Sequence, residues 1–148
     1  MITGYYHTAF TVSDLDRSIA FYRDLLGLKM SWSREVDGDN LSKLVGQPAA
    51  KVRIQSISFG AFEIELIQYV AATGARTPPG KPNTPNTTGT AHVAFFVDDV
   101  DAMHRQLRDK GVRFISPPVD FGTAKSCYFT DPDGIVLEIL ERKAAAAA

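Results

Sequence analysis

Two histidines and two glutamates recur at matching places in this chain, and together they would make a coherent nitrogen and oxygen donor set for a divalent metal. His7 opens "HTAFTVSDLDRSIAFYRDLLG" and His92 opens "HVAFFVDDVDAMHRQLRDKG". At that same offset Gly4 falls on Gly89, Asp14 on Asp99, Asp16 on Asp101 and Arg23-Asp24 on Arg108-Asp109. Further on, Glu65 stands between Ile64 and Leu66 in "EIELI", and Glu138 between Leu137 and Ile139 in "VLEIL". An ionised carboxylate among apolar neighbours is costly unless a partner or a cation meets it. Imidazole with carboxylate suits Zn, Ni, Co, Fe or Mn, and residue types alone do not choose among them. Taken singly, a strand histidine is more often structural, and a hairpin glutamate more often sits on the wet face. The recurrence of the pair is what favours a shared site. Glu63 has the parity of Glu65 and competes with it, although Glu65 matches Glu138 by local context. His104 falls within a helical stretch, on its wet flank. Cys127, the only cysteine, reads as a small strand residue and leaves no thiolate cage or CxxC pair.

The elements around these residues follow from their periods. On a strand alternate side chains share a face, so His7 goes with Ala9 and Thr11, opposite Thr8, Phe10 and Val12. By the same parity His92 goes with Ala94 and Phe96, opposite Val93, Phe95 and Val97. The bulkier set should pack on a helix, which turns both histidines away from the helices. After a strand over residues 4–12 the spacing predicts a helix with Leu15, Ile19, Tyr22 and Leu26 on one stripe, Ser13 as cap and Gly27 as stop. "LKMSWSREV" is extended, a polar loop holds Gly38 and Gly46, and "KVRIQSISFGAFEIELIQY" is a hairpin turning near Gly60-Ala61. The second half repeats the order: a strand over 90–97, a helix with Val100, Met103 and Leu107 inward and Gly111 as stop, a strand at "VRFIS", and a hairpin through Asp-Pro-Asp-Gly.

The predicted class is therefore α+β, with two tandem βαβββ modules over residues 1–70 and 90–142. Residues 71–89, rich in Pro, Gly, Thr and Asn, form a linker or a flap. The alanine tail at 143–148 reads as an expression scar or a frayed helix. At 148 residues the chain can bury about two-thirds of its unfolded surface as one domain. A net charge of -1 with 22% charged residues gives no basic field for nucleic acid or an anionic membrane. No signal-like start is visible, and no apolar run approaches the roughly 20 residues that span a bilayer. The expectation is a soluble cytoplasmic protein whose partner is a small molecule held in a site.

The motifs "HTAFTVSDLDRSIAFYRDLLG", "IELI", "AHVAFFVDD" and "FTDPDGIVLEILE" resemble the vicinal oxygen chelate superfamily, the glyoxalase, bleomycin-resistance and extradiol-dioxygenase group, over residues 6–141. The resemblance implies that each module curves its sheet into half a cup, with helices outside and one divalent metal inside. Bacterial-type glyoxalase I offers His, Glu, His, Glu in that order, which here means His7, Glu65, His92 and Glu138. Methylmalonyl-CoA epimerases are similar but commonly carry glutamine at the position of Glu65. Extradiol dioxygenases use a three-ligand set matching His7, His92 and Glu138, and fosfomycin-resistance transferases likewise use three. The acid at Glu65 favours proton transfer, in which a metal polarises a carbonyl, acidifies the neighbouring C–H, and a carboxylate moves the proton. By resemblance Glu138 is the base and Glu65 its counterpart. The implied activity is an enolising isomerase or lyase of glyoxalase or epimerase type, acting on a small carbonyl or thioester. The alternatives are an Fe(II) extradiol-type dioxygenase and a drug-binding protein of the bleomycin-resistance type. Arg34, Arg53, Arg76 and Lys81 are candidate anion-binding residues, without a cluster that points to glutathione or coenzyme A. Related chains commonly dimerise, sometimes exchanging modules, so a homodimer is expected.

Overall fold

The computed structural model describes residues 1–74 and 84–143. The chain divides into two compact units, Met1–Arg76 and Thr77–Ala148. In the first, β1 (His7–Thr11), α1 (Leu15–Ile19), β2 (Lys29–Asp37), α2 (Asp39–Val45), β3 (Lys51–Phe59) and β4 (Phe62–Ala71) follow in order. The four strands form a mixed sheet ordered β1-β4-β3-β2, with β1 parallel to β4 and the remaining pairs antiparallel. Gly60, at φ 62°, supports the two-residue turn that sets Phe59 opposite Phe62. The helix side of the sheet holds the core, where Val12, Leu15, Tyr22, Ile57, Ile64 and Leu66 are buried.

The second unit has β5 (His92–Phe96), α3 (Val100–Asp109), β6 (Val119–Asp120), β7 (Ala124–Thr130) and β8 (Val136–Arg142). Its sheet is ordered β5-β8-β7-β6, again with the first and last strands parallel. Val100 and Leu107 of α3 are buried with Phe129, Leu137 and Ile139. The Asp-Pro-Asp-Gly turn is built by Asp131, whose Oδ1 accepts the N–H groups of Asp133 and Ile135 at 2.8 and 2.9 Å. That turn places Thr130 opposite Val136 and fixes the β7–β8 register. Among the described residues, no helix is long and apolar enough to cross a membrane.

Much of the sequence repeat has an architectural cause. Asp14 and Asp99 are the helix caps, accepting from Arg17 N and Ala102 N. Asp16 of α1 pairs with Arg53 on β3, and Asp101 of α3 pairs with Lys125 on β7. The last strand of each sheet also reaches the helix start: Gln68 Oε1 accepts from Leu15 N and Glu141 Oε2 from Val100 N. These ties all lie on the helix side, so none of them accounts for the histidines.

The structure departs from the sequence expectation in four places. The cap of α1 is Asp14 and not Ser13, which instead accepts from Arg17 Nη2. Beyond Ile19 the helix continues as a π-helical stretch, Ala20–Leu25, which turns Phe21 and Tyr22 both inward and breaks the predicted stripe. The loop between Gly38 and Gly46 contains α2, ended by Gly46 in the left-handed region at φ 65°. "VRFIS" is not a ladder strand, since only Phe114 bridges to Phe129. The second strand of this unit is β6, beyond Pro117-Pro118, because adjacent prolines cannot donate to a ladder.

Candidate metal centre

Register explains how each imidazole meets its acid. In the parallel pair of β1 and β4, His7 stands opposite Glu63 and Ala9 opposite Glu65. In the parallel pair of β5 and β8, His92 stands opposite Val136 and Ala94 opposite Glu138. Each acid therefore faces an alanine two residues beyond the histidine, and the small methyl leaves it room. The same register equates Glu63 with Val136, a residue without donor atoms, so Glu65 is the counterpart of Glu138.

His7 Nδ1 lies 3.5 Å from Glu65 Oε1, and His92 Nε2 lies 3.3 Å from Glu138 Oε2. Two donors bonded to one cation at about 2.1 Å stand about 3.0 to 3.4 Å apart at octahedral and tetrahedral angles. Both pairs sit at or near that spacing. The carboxylates are the buried members, at 5% and 12% side-chain exposure, against 33% and 43% for the imidazoles. His7 Nδ1 is itself buried without a hydrogen-bond partner, as is Glu63 Oε2. A buried ring nitrogen beside a buried carboxylate, neither hydrogen-bonded to the other, fits a shared divalent cation better than a structural bond. In neither unit do three His, Cys, Asp or Glu side chains gather at ligand spacing among the described residues, so each unit offers an imidazole and a carboxylate.

The two pairs differ in their surroundings. Ser126 donates its hydroxyl to Glu138 Oε1, and Tyr128, opposite Glu138 on β7, stands edge-on to His92 with centroids 5.1 Å apart. Burial, and after it the Glu138 charge, hold the Tyr128 hydroxyl above the usual tyrosine range. In the first unit the matching positions are Ile54 and Ser56, opposite Ile67 and Glu65. Ser56 Oγ is buried with no hydrogen-bond partner. Tyr6 stands edge-on to His7 at 4.8 Å.

Other residues singled out from the sequence take structural places. His104 packs its ring on Phe114 at 4.3 Å. Cys127 faces Ile139, and burial pushes its thiol up to about 11. Arg53 is committed to Asp16 at 3.0 Å, and Arg34 lies over the Trp32 ring at 4.7 Å. Arg76, Lys81 and the rest of residues 75–83 of the proposed flap fall outside the described residues. Sequence reasoning missed Ser126, Tyr128 and the Arg142 guanidinium, which lies 4.5 Å over the Phe96 ring. Arg142 was legible by parity, since it is four residues from Glu138 on one strand and so on the same face.

Residues 4–139 match the Glyoxalase/Bleomycin resistance protein/Dioxygenase superfamily. A 2-epi-5-epi-valiolone epimerase from an Actinomyces species is 30% identical over 151 residues, covering 95% of this chain and 80% of that protein. The lactoylglutathione lyase of Haemophilus influenzae is 30% identical over 145 residues, covering 93% and 91%. Among solved structures, a glyoxalase family protein from Bacillus cereus superposes with a TM-score of 0.86 at 22% identity, covering 97% of each chain. A fosfomycin resistance protein from Listeria monocytogenes, complexed with Mn(II) and sulfate, gives 0.62 at 20% identity, covering 97% and 95%. With both histidine–glutamate pairs inside the matched span and relatives alike along nearly their whole length, the chain belongs to the glyoxalase, bleomycin resistance protein and dioxygenase superfamily.

Proposed function

We propose that this chain is a divalent-metal-dependent isomerase or lyase of glyoxalase or epimerase type, acting on a small carbonyl or thioester substrate. His7, Glu65, His92 and Glu138 are the proposed ligands. The observation that carries the reading is the repeated pair: an imidazole 3.3 to 3.5 Å from a carboxylate at 5% or 12% side-chain exposure, once in each unit. A divalent cation in such a set supplies Lewis acidity, which acidifies a C–H beside a carbonyl. The carboxylates then carry the proton, with Glu138 as base and Glu65 as its counterpart. Relatives named as an epimerase and a lactoylglutathione lyase are consistent with this chemistry, and the Mn(II) complex of the fosfomycin-resistance relative supports a divalent ion. A dioxygenase using three ligands would leave Glu65 without a role, which its burial and its approach to His7 disfavour.

Metal analysis tests the reading. Protein equilibrated with Mn, Co, Ni or Zn should retain about one ion per chain, and His92→Ala should lose it. Retention of none by the native chain would remove the enzymatic reading and favour a binding protein. Turnover of a glutathione hemithioacetal, methylmalonyl-CoA and a catechol then separates lyase, epimerase and dioxygenase by product.

A further inference from the structure

Glu65 and Glu138 agree in type, strand and register, yet only Glu138 is held from behind. Ser126, at 7% exposure, donates to Glu138 Oε1, while Oε2 faces His92 Nε2 at 3.3 Å. The two oxygens of one carboxylate thus have separate neighbours. In the first unit the corresponding place is Ile54, which faces Ile67 two residues past Glu65 as Ser126 faces Leu140 two past Glu138. Ile54 has no hydroxyl to offer, and Ser56, facing Glu65, makes no hydrogen bond through its Oγ. The asymmetry lies in residues the repeat does not share.

We propose that Ser126 is a positioning residue that keeps Glu138 on the cation through one oxygen only; this inference rests on the metal-site reading above. A carboxylate beside a divalent cation can bind with one oxygen or close on it with both. The Ser126 hydroxyl stabilises the orientation in which Oε1 is turned away, leaving Oε2 as the metal-facing atom. A carboxylate closed on the ion with both oxygens would have to give up one metal bond to take a proton and both to leave, whereas one held singly would leave by breaking one. Ser126 thereby readies Glu138 for release, and Glu65, lacking such a hydroxyl, is suited to stay.

Co(II) loaded into the full-length protein reads this directly, because its visible bands weaken as coordination rises toward six. Ser126→Ala should let Oε1 close on the ion, giving weaker bands than the native protein. Its Co(II) affinity in chelator competition should be tighter, against the loss of roughly 10- to 100-fold that removing an outer-shell partner ordinarily produces. Ser126→Thr, which keeps a hydroxyl, should return the native spectrum and affinity. Ser126→Val, which has the shape of threonine without its hydroxyl and adds no metal ligand, should behave as the alanine variant and serves if that one folds poorly. An unchanged spectrum in Ser126→Ala, or weaker Co(II) binding, overturns the role of Ser126 while leaving the metal site standing. A native protein that takes up no Co(II) overturns both.

Discussion

At the scale of single residues, the discriminating comparison is between Glu63 and Glu65, adjacent acids of one parity on β4. Parity could not separate them, and the parallel register does: Glu63 faces His7 directly, whereas Glu65 faces Ala9 and brings Oε1 to 3.5 Å from the imidazole. Glu65→Gln removes a proposed anionic ligand and is expected to weaken metal binding by at least about tenfold. Glu63→Gln should leave it within a few-fold of native. Isothermal titration with Mn(II) checks the pair, and equal losses would place both acids on the ion. The histidines and the favoured acids were legible because each is an exception to its strand's apolar pattern and each exception occurs twice. Ser126 was not, because its contact depends on which β7 residue lies near Glu138, and the Asp131 turn sets that in three dimensions.

Elements were legible in proportion to how strongly they bury a face. The strands carrying Ile64 and Leu66, or Leu137 and Ile139, alternate because one side is core. By contrast α2 buries none of its residues, so no stripe marked it, and polar composition alone suggested a loop. The cap of α1 was misplaced by one residue because Ser13 and Asp14 are both good cap types and only backbone geometry decides. The ties from helix to sheet carry a pH prediction. Lys125 lowers the carboxyl of Asp101 through hydrogen bonding first and charge after it, and Asp101 in turn raises Lys125. A lowered acid stabilises the fold above its unfolded value of 3.8 and loses that contribution as pH falls through the folded value. A raised lysine stabilises below 10.5 and loses it as pH climbs past the folded value. Asp101→Asn should therefore lower the melting temperature across the interval between, and the deficit should close at both extremes. A deficit independent of pH would mean that packing, not charge, is what the aspartate contributes.

For the whole molecule, the question is which chain supplies the second histidine–glutamate pair of the proposed metal site. In the single chain, the His7 and His92 side chains keep 33% and 43% of their surface open. Large aromatic rings are also exposed, with Tyr6 at 67%, Phe62 at 61% and Phe96 at 62%. Exposed aromatic side chains are surfaces that a second copy commonly covers. We propose a homodimer; if its modules exchange, each cation would take one histidine–glutamate pair from each subunit. Mixing two inactive variants tests this, because His7→Ala and His92→Ala damage different pairs. In a shared arrangement, a mixed dimer has one site with both defects and one with neither. After random exchange, half the dimers are mixed, so about a quarter of all sites should recover metal. If each chain instead completes its own site, every site carries one defect and the mixture stays as empty as its parents. Light scattering on the same samples establishes that dimers formed, so a failure to exchange is not mistaken for a failure to share.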